Sequence, residues 1–154
     1  MWSLKTGFLE MTPAIAPDGS VIFHSWPDDD KKRLQSGLFA VHADGTVKWE
    51  LRDFIKNDTS DPDITTPIGG SDSSPIVDSK GTTYFGADNG AIYAVDKNGR
   101  LVMNFQIGFE WDNRPALGPD GTLYIANSGS PGKTRVIAIS DLGTMRAKDP
   151  WLNW

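Results

Sequence analysis

The four residues Trp111-Asp112-Asn113-Arg114 set an aromatic platform beside an acid, an amide and a guanidinium. Such a set suits a carbohydrate or a peptide, which stacks on a ring face and is hydrogen-bonded at its edge. Trp26 and Asp72 fall in the long inserted stretches described below and share that face. The candidate ligand-binding residues are therefore Trp26, Asp72, Trp111, Asp112, Asn113 and Arg114. Catalytic signals are fainter. Asp58, Asp61 and Asp63 lack the Gly and the distal bidentate Glu of a calcium loop and read as a solvated acidic loop. Asp28 to Asp30, directly before Lys31-Lys32-Arg33, reads as a self-compensated solvent tip. His24 and His42 lie on different strands without metal-ligand spacing, so both are expected to be surface or edge histidines. Asn57-Asp58-Thr59 fits the glycosylation acceptor pattern, which is a common chance match. No Gly-x-Ser-x-Gly, phosphate loop or His-Glu-x-x-His occurs, so no catalytic residue and no metal ligand is assigned.

Bulk properties narrow the classes further. The 154 residues suffice for one domain with a real core, and 38% hydrophobic with 23% charged content reads as soluble and globular. A net charge of -5 repels phosphate backbones, so no nucleic-acid partner is expected. The absence of cysteine removes thiol catalysis, thiolate metal sites and disulfides together. No apolar run reaches the length of a membrane span, and the opening MWSLKTGFLE has no charged segment followed by an apolar one, so it does not read as a signal peptide.

The elements that must position the candidate residues are written three times. Thr12-Pro13-Ala14-Ile15, Ser74-Pro75-Ile76-Val77 and Arg114-Pro115-Ala116-Leu117 each open a unit with a proline-headed strand. A turn follows at Pro17-Asp18-Gly19, Asp78-Ser79-Lys80-Gly81 and Pro119-Asp120-Gly121. Alternating strands come next, at Ser20 to Phe23, Thr82 to Phe85 and Thr122 to Ile125. The third strands echo most clearly: Leu38 to Val41, Ile92 to Val95 and Val136 to Ile139, with Ala40, Ala94 and Ala138 at one register. That recurrence predicts a place where neighbouring sheets approach too closely for a larger side chain. Asp44-Gly45, Asn98-Gly99 and Leu142-Gly143 form the second turn, and fourth strands are expected over 46–51 and 100–105, with a weaker one over 144–147.

Four short antiparallel strands, repeated, predict an all-β fold: a β-propeller of four-stranded blades, with a β-sandwich as the alternative. The echo holds at four strands and two turns, which favours the propeller. The single domain 1–154 divides into a last strand of a preceding blade (1–9) and three blades (10–56, 72–109 and 112–150). Trp2 to Gly7 aligns with Met103 to Gly108, so the chain opens on a fourth strand whose blade is otherwise missing. Three blades are too few to close a ring. The expectation is a partial propeller completed by further blades of a longer chain, or half of a ring closed by a second copy. In a propeller the loops 25–36, 53–72 and 127–135 emerge on one face, which is the expected binding face.

Ala40-Val41-His42-Ala43-Asp44-Gly45-Thr46-Val47-Lys48-Trp49 resembles the Ala…Asp…Gly…Trp blade signature of the pyrroloquinoline-quinone-type propellers. Ala94…Asp96…Gly99…Met103 repeats it with Met for Trp, and Ala138…Gly143…Ala147 repeats it without the aromatic. The resemblance implies a periplasmic or secreted address and covers catalytic and non-catalytic members alike. The quinone enzymes of the class carry a vicinal disulfide and a calcium held by acidic and amide side chains. This chain has no cysteine and no matching Glu/Asn/Asp set, so no cofactor is expected. The expected function is a non-catalytic binding or scaffold module for a protein or carbohydrate. The alternative is a piece of a propeller enzyme, either a quinone-dependent dehydrogenase or a carbohydrate-active hydrolase or lyase.

Overall fold

Runs of β-branched and aromatic residues, broken by Asp-Gly and Asn-Gly turns, fold each unit back on itself as a meander. The computed structural model describes residues 1–4, 6, 9, 11–25, 37–52, 73–87, 90–107, 114–126, 135–140 and 142. Strands β1 (Ala14–Ile15), β2 (Val21–Ser25), β3 (Gly37–Val41) and β4 (Val47–Arg52) form one antiparallel sheet in chain order. A second four-stranded sheet holds β5 (Ile76–Val77), β6 (Thr83–Gly86), β7 (Ala91–Val95) and β8 (Leu101–Gln106). The third has three strands among the described residues: β9 (Ala116–Leu117), β10 (Leu123–Ala126) and β11 (Val136–Ile139). The fourth strand expected over 144–147 and Gly143 lie outside the described residues. No helix among them is long and apolar enough to cross a membrane.

In every sheet the turn glycine donates its N–H to the carbonyl three residues back, as Gly81 does to Asp78 O and Gly99 to Asp96 O in the second sheet. Gly19 N–H donates to Ala16 O at 2.9 Å, and Asp18 Oδ1 accepts from Ser20 N at 3.0 Å. The same pattern recurs at Asp44-Gly45-Thr46 and at Asp120-Gly121-Thr122. In the first two sheets a bulge falls at the same point, between Ala40 and Val41 on β3 and between Ala94 and Val95 on β7. Opposite the bulge, Lys48 and Val102 are the residues left without a partner in the ladder, and their side chains are re-aimed.

Alternation along the strands gives each sheet two faces. Ile22, Leu38 and Ala40 of the first sheet cluster with Phe85, Tyr93 and Val95 of the second. One step on, Tyr84, Ile92 and Ala94 cluster with Leu123, Ile125 and Ile139 of the third. The recurring alanines Ala40 and Ala94 are buried, while Ala138 is exposed on the outward face of the third sheet. Tyr124 and Val136 share that face, Val136 at 75% exposure.

Trp2 to Leu4 form no strand; the segment lies against the first sheet, where Leu4 packs on the Phe23, Phe39 and Val41 cluster and Trp2 is held by its indole. Part of the fourth strand expected over residues 2–7 lies outside the described residues, and no ladder partner runs beside the rest among them. One expectation needs correction. His24 is not a surface histidine. It is 2% exposed, because its register on β2 points to the face that meets the second sheet; His42 is exposed as expected.

Thr83 has a further consequence for stability. It is fully buried at the register of Val21 and Leu123, and its hydroxyl meets no hydrogen-bond partner among the described residues. Thr83→Val should therefore stabilise the fold by about 1–2 kcal/mol, read as a higher urea midpoint at unchanged slope.

Candidate functional site

The proline-headed starts of β1 and β5 lie side by side at one end of their sheets, where Thr12 N–H donates to Ser74 Oγ at 3.2 Å. Arg114, at the same register of the third unit, is exposed. Of the candidate ligand-binding set only Arg114 is described; Trp26, Asp72, Trp111, Asp112 and Asn113 lie outside the described residues. So do residues 26–36, 53–72 and 127–134, which carry Asp28 to Arg33, Asn57-Asp58-Thr59 and the Asp58, Asp61, Asp63 group. Among the described residues no group of three or more His, Asp or Glu could hold a metal ion.

Formed clefts sit at the opposite end, between neighbouring sheets, beside the β1–β2 type turns. The first is lined by Ala16, Ile22, Lys48 and Trp49 of the first sheet and by Ser79, Lys80, Gly81 and Lys97 of the second, and measures about 90 Å³. Trp49 fills it. Its Nε1–H donates to Lys97 O at 3.1 Å, and its Cγ lies 2.8 Å from where a Cβ on Gly99 would stand. Trp2 docks on the first sheet in the same manner, with Nε1–H to Ala43 O at 2.7 Å and the ring against Gly45. The mouth is closed by Lys48, which the bulge turns onto the Asp18 carboxylate. That ion pair, with the Ser20 amide and hydroxyl, holds the Asp18 carboxyl well below its ordinary range.

The second cleft occupies the equivalent place between the second and third sheets and measures about 690 Å³. Met103 stands at the register of Trp49, opposite Ala94 as Trp49 is opposite Ala40. Val102 stands at the register of Lys48 and Lys80 at that of Asp18, so the closing ion pair is gone. The wall changes as well: Asp78 and Tyr84 replace Ala16 and Ile22. Asp78 Oδ1 accepts the amides of Lys80 and Thr82, both at 2.8 Å, and Oδ2 accepts the Tyr84 hydroxyl at 3.3 Å. Burial, and then the neighbouring Asp78 charge, push the Tyr84 phenol up to about 12. At neutral pH the phenol stays protonated and donates to Asp78.

The insertions drew the sequence reading to the other end of the sheets. The signal for the second cleft was nonetheless present, as five departures at aligned positions: Asp78, Lys80, Tyr84, Val102 and Met103.

No family model matches the sequence, and no curated protein matches it. Among solved structures, regucalcin from Agrobacterium tumefaciens strain C58, a calcium-binding protein, aligns with a TM-score of 0.48 at 19% identity. The alignment covers 75% of this chain and 37% of regucalcin, so the chain spans little more than a third of that protein.

Proposed function

We propose that the three sheets are successive blades of a quinoprotein-type β-propeller, and that the protein is a non-catalytic binding or scaffold module. One observation carries this reading. Trp2 and Trp49 each donate an indole N–H to a turn carbonyl of the following sheet and lie on its turn glycine. One anchor, met on two successive sheets, fits blades arranged around an axis. A protein or carbohydrate would bind on the face bearing residues 25–36, 53–72 and 127–135, next to Arg114. Purified protein mixed with pyrroloquinoline quinone and calcium, then desalted, should keep no quinone chromophore. Retention of the chromophore would overturn the non-catalytic reading.

The outward face of the third sheet, with Tyr124, Val136 and Ala138 exposed, is at the register that the first two sheets bury. We propose that a further blade covers it, supplied by a second copy or by more of a longer chain. For this chain alone, sedimentation should give the mass of two chains, reduced to one by deleting Met1 to Gly7. A clean monomer would remove the second copy and leave only the longer chain.

A further inference from the structure

Residues 2–4 lie on the first sheet as the last strand of one sheet lies on the next. Trp49 and Leu51, two apart on β4, join the cluster shared with the second sheet, and Met103 and Phe105 on β8 join the cluster shared with the third. Trp2 and Leu4 repeat the pair: Trp2 donates to Ala43 O and rests on Gly45, and Leu4 packs on Phe23, Phe39 and Val41. In the ladders, Trp49 and Leu51 stand opposite Ala40 and Leu38 of β3, and Met103 and Phe105 opposite Ala94 and Ile92 of β7. No strand stands so beside residues 2–4 among the described residues.

The third sheet carries the matching half. Among the described residues β11 pairs with β10 alone, and its Ala138 and Val136 stand at the registers of Ala40 and Leu38. Ala40 and Leu38 are buried, whereas Ala138 is exposed and Val136 is 75% exposed. A second pair of open positions agrees with the first. Tyr124 stands at the register of Ile22 and Tyr84, and Ile15 at that of Val77 and Leu117. Where both members are present they share a cluster, Ile22 with Val77 and Tyr84 with Leu117, but Tyr124 and Ile15 are both exposed. We propose that residues 2–4 pair antiparallel with β11 of a second copy of this chain, Trp2 opposite Ala138 and Leu4 opposite Val136, with Tyr124 of one copy against Ile15 of the other. The inference rests on reading the sheets as blades and commits the further blade to a second copy. Each chain carries both halves of the junction, so a twofold axis satisfies both ends at once. Three sheets from each copy make six, inside the usual range of four to eight blades. The apolar edge of β11, a template for aggregation when left open, is then covered in both copies.

The chain has no cysteine, so an introduced pair reads the register directly. Residues opposed across two strands have Cα atoms about 4.5–5.5 Å apart, within the span of a disulfide. Leu4→Cys/Val136→Cys, oxidised in solution and run unreduced, should migrate as two linked chains. Leu4→Cys/Ala138→Cys, displaced by two residues along β11, should link at least about tenfold more slowly. Ile15→Glu, at an exposed position of the single chain, should leave the circular dichroism unchanged and slow linking of the first pair by about tenfold or more. A disulfide closed within one chain, a ladder of higher multiples, equal linking by the two pairs, or linking unaffected by Ile15→Glu would overturn the proposal. Free thiols on a chain that sediments as a monomer would overturn it too; if Gly99→Ala then still costs more than Gly19→Ala, the blades stand and only the second copy falls.

Discussion

Gly99→Ala should destabilise the fold by about 2–4 kcal/mol, whereas Gly19→Ala should cost only about 1–2 kcal/mol. Both glycines close the same kind of turn, with φ at 83° in each, so the backbone penalty for a side chain is common to the two. They differ in what the new methyl group meets. At Gly19 nothing lies within 4 Å, while at Gly99 the Cγ and Cβ of Trp49 lie 2.8 and 2.9 Å away. Those atoms are next to the backbone of β4, and the indole beyond them is tied to Lys97 O, so the ring cannot swing aside. Gly45→Ala should fall between the two. Its methyl would meet Trp2 at 2.7 Å, but Trp2 belongs to a segment outside any sheet and can lift away. Urea unfolding of the three variants measures the order directly. Equal costs at Gly19 and Gly99 would mean that Trp49 is not wedged between the sheets.

The same comparison explains how far the sequence could be read. Strand positions followed from alternation and from Asp-Gly punctuation, because each sheet is a local meander whose register its own turns set. Val136–Ile139 is the strand that was expected, and the other strands found among the described residues agree to within two residues at either end. The closeness behind the recurring alanine holds at two of its three copies: Ala40 and Ala94 are buried between sheets, while Ala138 is exposed. What the sequence hid was relation between sheets. Met103 in place of Trp49 was visible as a lapse in a signature, but that it opens a cleft depends on which wall faces it. His24 misled because one histidine in a short strand has no pattern of its own; only the pairing of β2 with β3 tells which face it joins. Trp2 aligns with a fourth-strand position and keeps the side-chain anchor of Trp49, while the strand expected around it runs into residues outside the described ones.

Phe85→Ala should cost about 3–5 kcal/mol, and Phe23→Ala, its counterpart one sheet earlier, should cost less by about 1–2 kcal/mol. The two rings occupy the same register, and each stacks on an aromatic of the next strand with centroids 5.6 Å apart, Phe85 on Tyr93 and Phe23 on Phe39. Intrasheet contacts are therefore matched. Phe85 is also enclosed by the first sheet, is 1% exposed, and would leave a cavity between two layers that cannot collapse freely. Phe23, 8% exposed, is capped by Leu4 from a segment that forms no strand, and that segment can settle into the space. The difference in unfolding free energy thus measures how complete the cover over the first sheet is in one chain. If a further blade takes that face in the assembled protein, Phe23→Ala should also weaken association, while Phe85→Ala should leave association of the folded fraction unchanged. Equal costs in the isolated chain would mean that the N-terminal residues already enclose the first sheet as fully as a neighbouring sheet does, and would remove the reason for a blade on that side.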